Sequence, residues 1–118
     1  MAVNAARTVT INLTGDVIAD KIFSAAQNAV SPGSITIHSL ALGDNTITVP
    51  ASTGITVKAA TIIPPSGNLL ALILKGIGAD TGIPISKADP TSIAFETAPT
   101  NFVLNAGGVI NGLRIVWT

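Results

Sequence analysis

The sequence predicts an all-β fold, an antiparallel β-sandwich or small jelly-roll-like barrel of about eight or nine short strands. Three observations lead to this prediction. Apolar residues alternate with Thr, Ser and Asn along most of the chain, as they do in strands with one buried face. Residues that favour turns interrupt the alternation roughly every 8–12 residues. The length of 118 residues is that of one domain.

The candidate strands become more apolar along the chain. In the first half, β-branched residues alternate strictly with polar ones in Thr8 to Leu13, Ser34 to His38, Asn45 to Val49 and Gly54 to Ala60. The second half carries more apolar candidates, which are Leu69 to Lys75, Gly82 to Ser86, Ser92 to Phe95, Asn101 to Asn105 and Gly112 to Trp117. Because Pro84 lacks the N–H that a central strand donates, its segment is predicted to lie at a sheet edge.

Some local signals make sharper predictions. The alternation in Ser34 to His38 predicts that Ile35 and Ile37 face the core and that His38 is exposed. Asn111-Gly112 is the strongest signal in the chain for a two-residue hairpin turn. Trp117 is the single tryptophan and is expected to anchor the last strand.

One segment departs from the strand pattern. Apolar residues between Asp20 and Val30 recur at helical spacing, Asp20 can serve as an N-cap, and Ser31-Pro32-Gly33 would end a helix. The sequence therefore predicts one short helix near residues 20–30. Since no linker divides the chain, residues 8–118 are expected to form a single β-sandwich domain. Residues 1–7 are expected to form an N-terminal arm.

The low charge excludes several classes of function. Lys plus Arg number 6 and Asp plus Glu number 6, so the net charge is +0 and only 10% of residues are charged, against roughly 25% in an ordinary soluble domain. Such a chain has no electrostatic footprint for nucleic acid. The absence of Cys excludes disulfides and thiolate metal sites. The longest apolar run, Leu69 to Leu74, is too short for membrane insertion, and Met1 to Arg7 does not resemble a signal peptide.

Asp80-Thr81-Gly82 is the most tempting catalytic motif. In retroviral-type aspartic proteases, each half of a homodimer supplies one D-T-G, and the two carboxylates share a proton. That chemistry needs the aspartate directly after an apolar strand and early in the chain. Here Gly78-Ala79 precede Asp80, and little of the chain follows it. A turn is the favoured interpretation, and a homodimeric aspartic protease acting through Asp80 is a remote alternative.

The glycines and the histidine also favour structural interpretations. Gly76, Gly78 and Gly82 have neither the spacing nor the following helix of a dinucleotide-binding loop. His38 is the only histidine, so it has no second imidazole for a transition-metal site. A catalytic role for it would need a nearby serine and an orienting acid.

The acidic residues are too sparse for a cation site. Asp16 and Asp20 are more consistent with caps for the predicted helix, and Asp44 with a Gly-Asp-Asn turn. The sequence therefore predicts no catalytic, cofactor-binding or metal-ligating residue and a protein that is not an enzyme.

The composition instead favours self-association. A small domain leaves roughly a third of its unfolded surface exposed, and so few charges cannot cover it. Much of the exterior must consist of small polar and aliphatic groups, and a net charge of +0 provides no repulsion between copies. Because interfaces between identical chains are apolar and poor in charge at their centre, we expect a homo-oligomer.

A resemblance covers residues 62–118 and rests on five segments. These are Ile62 to Asn68 (IIPPSGN), Leu72 to Gly76 (LILKG), Ala79 to Ile83 (ADTGI), Asp89 to Thr91 (DPT) and Gly112 to Trp117 (GLRIVW). With these segments the chain resembles small structural proteins of tailed bacteriophages.

The resemblance implies a virion component assembled in the host cytoplasm. A capsid decoration (cement) protein is the leading expectation, and a tail, baseplate or receptor-binding β module is the alternative. A cement protein bridges neighbouring capsid subunits, so the implied partners are further copies of this chain, with a trimer favoured, and the major capsid protein or other virion proteins. The resemblance implies no cofactor. In this role Pro84, Lys75 and Lys87 would protect a sheet edge from uncontrolled pairing.

Overall fold

The computed structural model describes residues 8–12, 22–26, 34–50 and 56–118. In this part of the chain every regular element is a β-strand and every strand pair is antiparallel. The predicted all-β class is therefore confirmed. The strands are β1 (Thr8–Asn12), β2 (Ile22–Ala26), β3 (Ser34–Leu40), β4 (Gly43–Thr48), β5 (Ala59–Ile63), β6 (Leu72–Lys75), β7 (Ile83–Ile85), β8 (Thr91–Ala94), β9 (Asn101–Ala106) and β10 (Ile110–Trp117).

Eight of these strands form two four-stranded sheets, consistent with a β-sandwich. The first sheet has the order β3-β10-β5-β8, and the second has the order β4-β9-β6-β7. Since β3 and β4 follow each other closely in the chain, they lie at the same side of the sandwich, and β7 and β8 lie at the other. Strands β1 and β2 pair with each other as a separate two-stranded sheet.

The core lies between the two four-stranded sheets. The first sheet contributes the fully buried Ile62, Leu113 and Ile115, and the second contributes Leu72 and Leu104. Burying one side chain of this size stabilises the fold by about 1.5–3 kcal/mol relative to leaving it in water. The sheets therefore hold together through aliphatic packing.

Trp117 anchors the last strand, as the sequence predicts. It is 1% exposed, and its ring packs at a tilt against Phe102 of the facing sheet, with the centroids 6.0 Å apart. Its strand, β10, lies between β3 and β5. A large aromatic side chain at a central strand joins the two sheets through one contact.

The prediction of a helix near residues 20–30 is wrong over the part that the structure describes. Residues Ile22–Ala26 form β2, which pairs with β1 in a register that puts Phe23 opposite Ile11 and Ala25 opposite Val9. Ile and Phe favour strands, and β1 supplies the ladder partner that a helix would forgo. The other residues of the predicted helix, and the arm at residues 1–7, lie outside the described residues.

Two turn and edge predictions have different outcomes. Pro84 lies in β7, which is the edge strand of its sheet, as predicted. Asn111-Gly112, in contrast, is not a hairpin turn: it lies within β10, where the register against β3 shifts between Asn111 and Leu113. Gly112 has a φ of 81°, so the glycine serves a bulge that a residue with a Cβ would strain.

Candidate functional site

The two faces of β3 are the reverse of those that the sequence predicts. Ile35 and Ile37 are 63% and 72% exposed, whereas Thr36 and His38 are half-buried on the inner face. The predictions of a buried Ile35 and Ile37 and of an exposed His38 are therefore wrong. The strand keeps its period of two, but a polar pair takes the inner positions.

A hydrogen-bonded relay from the tryptophan explains this reversal. The indole Nε1–H of Trp117 donates to Oγ1 of Thr36 over 2.9 Å, and Oγ1 of Thr36 lies 2.7 Å from Nε2 of His38. Because the Thr36 oxygen accepts from the indole, its own hydrogen is available for Nε2 of a neutral His38. A buried indole without an acceptor is unfavourable. The requirement for an acceptor therefore turns Thr36 inward and the two isoleucines outward.

His38 is held by this relay and is suited to the neutral state. Burial lowers the pKa of His38 below its ordinary value of 6.5 because the charged imidazolium loses hydration. Its nearest polar partner is the Thr36 hydroxyl. The structure thus gives His38 a packing role beside the only tryptophan of the chain.

The outer face of the first sheet is a continuous apolar surface. Ile35 pairs with Val116 across the ladder, and Ile37 pairs with Arg114, which in turn pairs with Ile63. Val116 and Ile63 are half-exposed, and Arg114 is exposed. In the described strands, Arg114 is the single charged residue on this face. We call this surface, comprising Ile35, Ile37, Ile63, Arg114 and Val116, the outer β3 face.

The same sheet has two free edges among the described strands. Nothing in this part of the structure pairs with the outer edge of β3 or of β8. Neither Ser34–Leu40 nor Thr91–Ala94 contains Lys, Arg, Asp, Glu or Pro, which are the residues that usually protect edges. The sheet can therefore be extended at both ends by another strand.

An apolar groove opens beside one of these edges. It has a volume of about 450 Å³ and lies between the edge strands β7 and β8, at the side of the sandwich opposite β3 and β4. Its walls are mainly aliphatic and aromatic, with Ile62, Ile93 and Phe95 on one side and Leu74 and Ile83 on the other. The groove is where the two sheets do not close over their shared core.

Lys75 belongs to a polar cluster near this groove. Its Nζ lies 3.0 Å from Oδ1 of Asp44 and donates to the Gly78 carbonyl over 3.3 Å, and the side-chain amide of Asn105 donates to the same Asp44 oxygen over 2.7 Å. The Asn105 hydrogen bond and then Lys75 lower the pKa of Asp44. Lys75 lies on β6, between β7 and β9, so the prediction that it protects a sheet edge is wrong. Lys87 lies in the segment between β7 and β8.

Asp80 organises the turn between β6 and β7. Its Oδ2 accepts hydrogen bonds from the backbone N–H groups of Gly76 and Ile77, at 3.1 and 2.9 Å. Its own N–H donates to the Ile77 carbonyl over 3.1 Å. This is the turn that the sequence favours for Asp80-Thr81-Gly82, and the carboxylate oxygen that a protease would need is engaged by the backbone.

The structure does not bring the other candidate residues into one site. Among the described residues no three His, Asp or Glu side chains converge as metal ligands. Asp16 and Asp20 lie outside the described residues, and Asp44 is committed to the cluster with Lys75 and Asn105. In the same part of the chain, no helix has the length and apolarity to cross a membrane. The outstanding features are apolar surfaces.

Sequence reasoning missed the outer β3 face, although one signal could have found it. A single buried tryptophan near a strand with one Thr-x-His pair requires an inward acceptor, and Thr36 is such a residue. Alternation alone cannot decide between the two faces of an edge strand. Comparison with known proteins adds no further guide, since no family model, curated protein or solved structure matches this chain.

Proposed function

We propose that this chain is a non-enzymatic structural protein that self-associates, and that it serves as a capsid decoration (cement) protein of a tailed bacteriophage. One observation carries the self-association: Ile35 and Ile37 are 63% and 72% exposed on an edge strand without charge or proline. The virion assignment rests on the resemblance over residues 62–118 and on the composition. It is not drawn from the geometry.

The physical case for self-association starts from the cost of leaving this face in water. Full burial of one isoleucine side chain stabilises a protein by about 1.5–3 kcal/mol, and Val116 and Ile63 extend the apolar surface beyond β3. The free β3 edge adds unpaired backbone N–H and C=O groups that a neighbouring strand would satisfy. A second copy fits because its β8 edge is equally uncharged and lies at the opposite end of the same sheet.

A cement function requires what this surface provides. Such a protein must add interface area between neighbouring subunits, and it needs rigid strands and apolar contacts without any chemistry. Contact between the β3 edge of one copy and the β8 edge of the next is heterologous, so it closes into a ring when the rotation permits. A trimer of this kind would bridge capsid subunits around a local threefold axis.

The self-association is tested by light scattering on the purified protein. We expect a multiple of 11.8 kDa for the wild type at micromolar concentration and a monomer for Ile37→Lys, which places a charge on the edge. Val109→Lys is the matched control, because Val109 is 65% exposed but lies between β9 and β10, away from the outer β3 face. A monomeric wild type, or equal oligomers for Ile37→Lys and Val109→Lys, contradicts the proposal.

The virion assignment needs its own measurement. The purified protein should sediment with empty capsids of the phage that encodes it and should protect them against heating. A protein that oligomerises but does not bind those capsids would retain the self-association and lose the cement function. A coding position beside the major capsid gene supports the head location, and one among tail genes supports the alternative of a tail or baseplate module.

A further inference from the structure

We propose that the groove between β7 and β8 receives the β1 strand, Thr8–Asn12, of a second copy of this chain, which adds to the sheet beside β8. This inference rests on the proposed self-association and names the contact that makes it specific. It joins two features that the fold leaves unexplained: an apolar groove at a free sheet edge, and a two-stranded unit that belongs to neither large sheet.

The groove selects an uncharged, apolar occupant. Ile93, Phe95 and Ile83 line it and are only partly covered, with Ile83 66% exposed. The two charged residues at its rim are already engaged, because Lys75 pairs with Asp44 and Asp80 accepts two backbone N–H groups. No charge in the lining is therefore left to attract an ionic ligand, and aliphatic side chains fit its walls.

The backbone at the groove selects an extended strand. The outer edge of β8 has no partner among the described strands, and its residues Thr91–Ala94 include no proline. On the facing side, Pro84 in the middle of β7 cannot donate to a ladder. An incoming strand would therefore hydrogen-bond to β8 and direct alternate side chains into the groove, which is the arrangement of β-augmentation.

The β1 strand has the matching properties. It pairs only with β2 among the described strands, and an isolated two-stranded unit is marginally stable in water. Its sequence, TVTIN, has Val9 and Ile11 at alternate positions and carries no charge. Addition to a four-stranded sheet would give this strand the larger ladder that it lacks in its own chain.

The chain path favours a second copy as the donor. Strand β2 leads into β3, which lies at the far edge of the first sheet, three strand spacings from β8, or about 14 Å. The donor strands are therefore tethered to the side of the molecule opposite the groove. A neighbour placed against the β3 edge brings its β8 edge and its groove to that side, so the exchange reinforces the edge contact of the proposed oligomer.

The absence of Cys allows a clean cross-linking test. Full-length chains carrying Ile11→Cys and Ile83→Cys are co-expressed with different tags and treated with a short bis-maleimide. We expect a cross-linked heterodimer at a yield at least about fivefold above that with Val109→Cys, because docking raises the local concentration of the two thiols. Val109 is a matched control since its exposure, 65%, equals that of Ile83 within one per cent and it lies outside the groove.

The outcomes separate this inference from the proposed function. Equal yields for Ile83→Cys and Val109→Cys overturn the groove contact. A chain carrying both Ile11→Cys and Ile83→Cys that cross-links only within itself overturns the assignment to a second copy. If the wild type is oligomeric and Ile37→Lys dissociates it while the Ile11–Ile83 yield shows no enrichment, this inference fails and the self-association stands.

Discussion

The substitution Thr36→Val tests the relay that sets the two faces of β3. Valine has nearly the shape of threonine, so the change removes the hydroxyl and leaves no cavity. Trp117 is 1% exposed, and its indole N–H has the Thr36 oxygen as its partner at 2.9 Å. Loss of that acceptor leaves a buried donor unsatisfied, which costs about 1–3 kcal/mol. His38 is half-buried and can turn to water, so its lost hydrogen bond adds little.

The measurement is urea unfolding followed by fluorescence. Because Trp117 is the only tryptophan, its emission reports the site directly. We expect the free energy of unfolding of Thr36→Val to fall by about 1–3 kcal/mol with an unchanged dependence on urea concentration. Thr48→Val is the control: Thr48 is exposed on β4, and such surface changes stay within about 0.5 kcal/mol.

A double-mutant cycle shows whether the indole is the cause. In a Trp117→Phe background the donor is gone, so Thr36→Val should cost clearly less than it does in the wild type, as measured by circular dichroism. A cost of Thr36→Val no larger than that of Thr48→Val would refute the reasoning. So would an equal cost in both backgrounds, because the acceptor would then have no specific role in orienting β3.

Two further predictions concern His38 and the β6–β7 turn. Because burial lowers the pKa of His38, the unfolded chain binds the proton first as the pH falls below 6.5; the unfolding free energy should therefore decrease over that window, and His38→Gln should remove the slope in urea titrations at pH 5.5–7.5. Gly82→Ala should cost about 1–3 kcal/mol more than Gly67→Ala in the same assay. Both glycines have positive φ, but a Cβ at Gly82 would lie 2.6 Å from Ile73 and 2.7 Å from the Leu74 carbonyl, whereas nothing lies near Gly67. A pH profile unchanged in His38→Gln, or equal losses for the two alanine variants, would contradict these arguments.

Several elements could be predicted from local sequence because their cause is local. Pro84 lacks a backbone donor wherever it lies, so its segment had to be at an edge, and β7 is an edge strand. The turn at Asp80 uses a short side chain that bonds to nearby backbone groups. Trp117 is too large and apolar to leave the core of a domain this small.

Other elements could not be predicted because their cause lies in a distant partner. Ile22–Ala26 has apolar residues compatible with either a helix or a strand, and pairing with β1 decides for the strand. Gly112 sits in a bulge because β10 must pair with both β3 and β5, a requirement that no neighbouring residue reveals.

By itself, then, the sequence determined the strand content, the low charge and the presence of more aliphatic surface than one small domain can bury. Only the tertiary structure decided where that surface lies. A period of two specifies that a strand has two different faces, but the burial of each face depends on what packs against it, and on β3 the indole of Trp117 claims the polar one. The apolar groove likewise exists because two edge strands far apart in the chain, β7 and β8, stand at the same side of the sandwich without closing it.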